Sequence, residues 1–94
     1  MQYRFDSQDF LSPQRVAKYD LCFAYGRTPH NFRKEILNFM WVEPLPRYYS
    51  AQEVEIIQQN LGKLSRFDFE NAQERVKNYL KKLRSKAKKR KFNS

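Results

Sequence analysis

Apolar residues recur with helical spacing in three places along the chain. Phe32, Ile36 and Phe39 fall four and then three apart, and Leu37 and Met40 widen the stripe, which predicts an amphipathic helix over 29–40. Thr28-Pro29 opens it, a capping side chain followed by a residue pre-organised for the first helical position. Val54, Ile57 and Leu61 form the apolar stripe of the next helix. Ser50 and Glu53 frame its start as a capping box, and Gly62 stands where it stops. Phe69, Ala72, Val76, Tyr79 and Leu83 are spaced three, four, three, four, a heptad seam in a helix that begins after Ser65 or Asp68.

Between these elements the pattern is less regular. Ser12-Pro13 reads as a further helix start, carried by Val16, Ala17 and Tyr19 to about Asp20. Leu21 to Tyr25 is apolar without a period, and Gly26 punctuates it. Pro44 and Pro46 exclude a helix across 41–47, so Trp41-Val42 and Tyr48-Tyr49 are expected as two short strands on either side of them. Tyr3 and Phe5 alternate with polar residues in an N-terminal arm. The expected fold is mainly α, a helix-turn-helix or winged helix with a small two-stranded wing and a C-terminal basic helix. Its divisions are an arm (1–11), the winged domain (12–64), a C-terminal helix (65–84) and a basic tail (85–94).

Composition adds a core and a field. Eight Phe, six Tyr and one Trp among 94 residues are enough to fill the interior of one small domain. The net charge of +9 is unevenly placed: residues 1–80 are close to neutral, whereas Lys81, Lys82, Arg84, Lys86, Lys88, Lys89, Arg90 and Lys91 crowd the last fourteen positions with no acid among them. Such a run implies a polyanionic partner and steep salt dependence. A membrane surface fits poorly, because after Leu83 the only large apolar residue is Phe92. No apolar stretch is long enough to span a bilayer or to act as a secretory leader, and the single cysteine, Cys22, cannot form an intrachain disulfide, so the expected location is cytoplasmic.

The chemistry of catalysis is thin. His30 is the only histidine, Cys22 sits in an apolar run, and two glycines cannot make a phosphate loop. The chain is therefore expected not to be an enzyme, with no metal and no cofactor.

The stretch Arg47-Tyr48-Tyr49-Ser50-Ala51-Gln52-Glu53-Val54-Glu55-Ile56-Ile57 resembles the wing-to-helix junction of MerR-type and excisionase-like winged-helix proteins. Upstream, Val16-Ala17 in a first helix and Thr28-Pro29 opening a second that contains Phe32-Arg33 are similar too, so the resemblance covers about residues 12–62. Two features depart from the family. The link between the first two helices reads as about four residues longer than a tight turn, and the wing carries two prolines with no glycine at its tip. The resemblance implies a second helix in the major groove and a wing on the backbone.

A helix that buries Phe32, Ile36 and Phe39 turns His30, Asn31, Arg33, Lys34 and Asn38 outward at least in part. Arginine and lysine suit guanine or phosphate, asparagine suits adenine, and Thr28 with the helix N-terminus suits a phosphate. Arg47, Tyr48 and Tyr49 are the wing candidates, on flanking backbone or stacked on bases. The eight tail cations complete the set. The partner is expected to be nucleic acid, DNA before RNA. A ribosome-associated RNA binder and a protein–protein adaptor are the rival classes. The heptad seam offers a homodimer through Phe69, Ala72, Val76, Tyr79 and Leu83, but at about two heptads it favours packing onto the chain's own core.

Overall fold

The computed structural model describes residues 3–44 and 46–92, with side chains up to Lys86. The described residues form four helices and a small two-stranded antiparallel sheet, in the order β1 (Val16–Ala17), α1 (Lys18–Ala24), α2 (Pro29–Ile36), β2 (Tyr48–Tyr49), α3 (Ala51–Leu61) and α4 (Arg66–Phe92).

Helix starts follow local side-chain chemistry where it is strong. The Ser50 hydroxyl accepts the Glu53 N–H at 3.2 Å, and the Glu53 carboxylate accepts the Ser50 N–H at 2.8 Å, closing the capping box of α3. Ser65 and Asp68 repeat the arrangement at the start of α4: the Asp68 carboxylate accepts the Ser65 N–H at 2.8 Å, and the Ser65 hydroxyl accepts the Asp68 N–H at 3.3 Å. Thr28 caps α2, and Pro29 fills its first position, where no donor is needed.

Ser12-Pro13 does not open a helix. The Ser12 N–H donates to the Arg4 carbonyl at 3.1 Å, and the Gln14 amide donates to the carbonyls of Arg4 and Ser12 at 2.7 and 2.9 Å. These bonds hold residues 12–15 out of helical geometry and deliver Val16-Ala17 as a strand. Val16 pairs with Tyr49 and Ala17 with Tyr48. The sheet therefore joins the lead-in of α1 to the lead-in of α3. Trp41-Val42 is not its second strand: Val42 is buried and Trp41 is 72% exposed, but neither pairs with Tyr48-Tyr49.

Helix α1 consequently starts and ends later than its sequence signals imply, and it absorbs Leu21, Cys22 and Phe23 as buried residues. Its end is a Schellman closure: Gly26 donates to Phe23 and Arg27 to Cys22, both at 3.0 Å, with Gly26 at φ +72°. Helix α2 stops at Ile36 rather than 40. The N–H groups of Asn38 and Phe39 reach back three residues, to Glu35 and Ile36, and tighten the chain into a turn.

One core is shared by all elements. Val16, Leu21, Phe32, Ile36, Tyr49, Val54, Ile57 and Phe69 are almost wholly buried within it. The N-terminal arm belongs to this body. Leu11 N–H donates to Leu64 O and Arg66 N–H to Asp9 O, both at 2.8 Å, while Tyr3 and Phe5 pack on Phe69 with ring centroids 5.3 and 5.8 Å away. The heptad seam of α4 is mostly used inside the chain: Phe69 and Ala72 are buried, Val76 packs on the core, and Tyr79 meets Tyr19 and Phe23. Leu83 is left 40% exposed, so little of the seam remains for a second copy. Helix α4 spans 27 residues, roughly 40 Å at 1.5 Å per residue. It sets the 51 Å long axis of the molecule.

Candidate nucleic-acid interface

The first two helices meet through Tyr25-Gly26-Arg27-Thr28, a link of four residues. The long link read from the sequence is corrected, because α1 extends to Ala24. Three contacts set the pose of α2 against α1. Phe32 is fully buried, stacked on Tyr25 at 5.6 Å and edge-on to Tyr49 at 5.9 Å. The Tyr25 hydroxyl donates to Gly62 O at 2.7 Å, tying the turn to the end of α3. Arg27 forms a bidentate ion pair with Glu35, its second nitrogen lying 3.1 Å from the carboxylate.

That pair changes the electrostatics of α2. Glu35 is the only carboxylate on the helix, and it is committed to Arg27. His30, Asn31, Lys34 and Asn38 are exposed, and Arg33 is half-buried with its Nε donating to the Glu43 carbonyl at 3.4 Å. Thr28 is exposed but its hydroxyl is engaged by the Asn31 N–H at 3.5 Å. Seven of the ten acids lie on the arm, α3 and α4; Asp20 is on α1, Glu35 on α2 and Glu43 in the link to β2, and the exposed polar side chains of α2 are His30, Asn31 and Lys34.

The sheet presents a second set. Register places Val16 and Tyr49 on its inner face and Ala17 and Tyr48 on its outer face. Tyr49 is 1% exposed, so its ring is core and cannot stack on a base; the stacking expectation is corrected for this residue. Tyr48 is 51% exposed, with the Arg15 guanidinium 4.5 Å from its ring centroid. Arg47 is exposed beside it. Arg15 and Lys18 were not legible as site residues, because only the pairing of 16–17 with 48–49 brings them here. The Lys18 N–H is bonded to the Arg47 carbonyl at 3.0 Å.

The basic residues of α4 continue its helical backbone to Phe92, so residues 85–92 are a helix rather than a loose tail. Lys81, Lys82, Arg84 and Lys86 are all exposed. The side chains of Lys88, Lys89, Arg90 and Lys91, and all of residues 93–94, lie outside the described residues.

Other chemistry is quiet. Burial pushes the Cys22 thiol up to about 12, far from a reactive thiolate. Burial also raises Tyr3 and Tyr49 to about 12 each, and Tyr25 further still. Among the described residues no group of three or more His, Cys, Asp or Glu is placed to hold a metal, and no helix is long and apolar enough to cross a membrane. Comparison with known proteins leaves the geometry to stand alone: no family model, no curated protein and no solved structure matches the chain.

Proposed function

We propose that the chain binds nucleic acid, duplex DNA before RNA, as a small winged helix-turn-helix protein of the MerR-type or excisionase-like kind. It acts as a regulator or recombination factor rather than an enzyme. The observation that carries this reading is the α1–turn–α2 unit. Two helices joined by four residues, with a left-handed glycine in the turn, have the connection that helix-turn-helix readers use. The second helix offers Asn31 and Lys34 to solvent, with Asn38 exposed in the turn just past its end, and has its one carboxylate paired with Arg27. In this reading Asn31 and Lys34 approach base edges in the major groove, Arg47, Tyr48 and Arg15 touch flanking backbone, and the end of α4 adds phosphate contacts.

A second reading, structured RNA, is favoured by one observation: Lys81, Lys82, Arg84 and Lys86 are exposed on a helix that extends past the core. Salt-titrated binding of the full chain to random duplex DNA and to folded RNA separates the two. Replacing Asn31 and Lys34 by alanine weakens duplex binding if α2 is the reader. If only replacement of the α4 cations by glutamine matters, and RNA outcompetes duplex, the RNA reading takes over.

A further inference from the structure

A pocket of about 300 Å³ opens where the start of α1, the start of α2 and the lead-in to β2 converge. Lys18, His30 and Arg33 line it, no carboxylate does, and the rings of Tyr19 and Tyr79 form part of its wall. Of the nearby acids, Asp20 accepts the Tyr3 hydroxyl at 2.6 Å and Glu35 holds Arg27, while Glu43, next to the lining residue Pro44, is exposed. Three groups able to donate hydrogen bonds therefore converge on a pocket with nothing anionic in its lining.

Tyr49 is the independent indicator. Its ring is core, 1% exposed. Its hydroxyl makes no hydrogen bond among the described residues, yet no fully buried side-chain oxygen or nitrogen there is left without a partner. Tyr49 is one of the residues that line this pocket. A buried tyrosine ordinarily satisfies its hydroxyl. Here it shares the lining of one pocket with three other donors, Lys18, His30 and Arg33. Burial keeps the phenol protonated through the neutral range, so it remains a donor.

We infer that this pocket is a phosphate-binding site, in which Lys18 and Arg33 supply charge, His30 a ring donor, and the Tyr49 hydroxyl a hydrogen bond from the core. The Arg33 Nε points at the Glu43 carbonyl, and among the described residues its terminal nitrogens have no hydrogen-bond partner. The phosphoryl group can come from a duplex backbone, which rests on the nucleic-acid reading, or from a free phosphorylated molecule, which does not.

The test is an amide chemical-shift titration of the full chain with potassium phosphate, against potassium chloride at matched ionic strength, with a parallel titration by short duplex DNA. Phosphate should shift the amides of Lys18, His30, Arg33 and Tyr49 saturably where chloride does not. Tyr49→Phe keeps the ring and removes the donor. It and Arg33→Ala should each weaken phosphate binding about tenfold or more, as expected for a lost hydrogen bond to a charged group. Lys34→Ala removes equal charge from the same helix outside the pocket and should weaken it by less than about threefold. Lys18→Ala, at a half-buried position outside the apolar core, repeats the test. If phosphate and duplex both weaken in Tyr49→Phe, the site takes backbone phosphate. If phosphate binds and duplex does not, the site stands with a free ligand and the nucleic-acid reading falls. If phosphate acts as chloride does, or Arg33→Ala and Lys34→Ala weaken it equally, the inference is overturned even if duplex binds. It is equally overturned if duplex binds and neither Tyr49→Phe nor Lys18→Ala changes either titration.

Discussion

Replacing Gly26 by alanine isolates the turn on which the pose of α2 depends. Gly26 sits at φ +72° as the left-handed closing residue of α1, with its own N–H and that of Arg27 bonded to α1 carbonyls. A Cβ placed there would meet only Arg75 Nη1 at 3.6 Å, an ordinary van der Waals distance to the end of a flexible side chain. Steric overlap with the rest of the protein is thus negligible, and the cost is that of a left-handed backbone, about 1–2 kcal/mol. Alanine also narrows the unfolded ensemble, but that offsets little where φ must stay positive. For a domain of this size a loss of about 1–2 kcal/mol lowers Tm by roughly 5–15 °C. Thermal unfolding followed by circular dichroism reads the shift. Gly26→Asn should recover much of it, because asparagine tolerates this region. An alanine variant that melts with the parent, or an asparagine variant that melts well below alanine, would refute a left-handed closure at this position.

Four further outcomes follow from the same geometry. Ser50→Ala removes one half of the α3 capping box and should cost about 1 kcal/mol in urea unfolding. Phe69→Ala empties a fully buried site between Tyr3 and Phe5 and should cost about 3–5 kcal/mol, enough to release the N-terminal arm to proteolysis. Cys22 should resist thiol reagents at mild alkaline pH until the chain unfolds, when it reacts at once. Cys22, Tyr3, Tyr25 and Tyr49 all have folded values raised above their ordinary ones, so the folded state holds protons that the unfolded state gives up. Their contribution should be level up to about pH 8, then be lost as pH rises toward 12, and alkaline titration of unfolding checks that sign.

What the sequence disclosed was whatever local chemistry decides. Ser50-x-x-Glu53 and Gly62 bound α3 in the structure as in the pattern, because a cap and a stop act over three or four residues. Thr28-Pro29 likewise opens α2. Ser12-Pro13 carries the same local signal but loses to Arg4, whose carbonyl takes the Ser12 N–H and the Gln14 amide across the loop of the arm. The sheet was misjudged for a related reason. Val16-Ala17 lacks the length of a strand pattern, and its partner at Tyr48-Tyr49 lies across the whole of α1 and α2. That distant pairing also decided the candidate site. It buried the ring of Tyr49, exposed Tyr48 and brought Arg15 and Lys18 alongside. The outward cast of Asn31 and Lys34 needed only the helical period of Phe32 and Ile36, and it was legible from the start.

The claim that α2 reads sequence is tested most directly by selecting bound duplexes from a randomised DNA pool with the full chain and with its Asn31→Ala and Lys34→Ala variants. The account predicts an enriched motif with the parent chain, changed at one or two base pairs by each variant, each mismatch being worth about 1–3 kcal/mol. No enrichment over the starting pool, or the same motif retained by both variants, would contradict it.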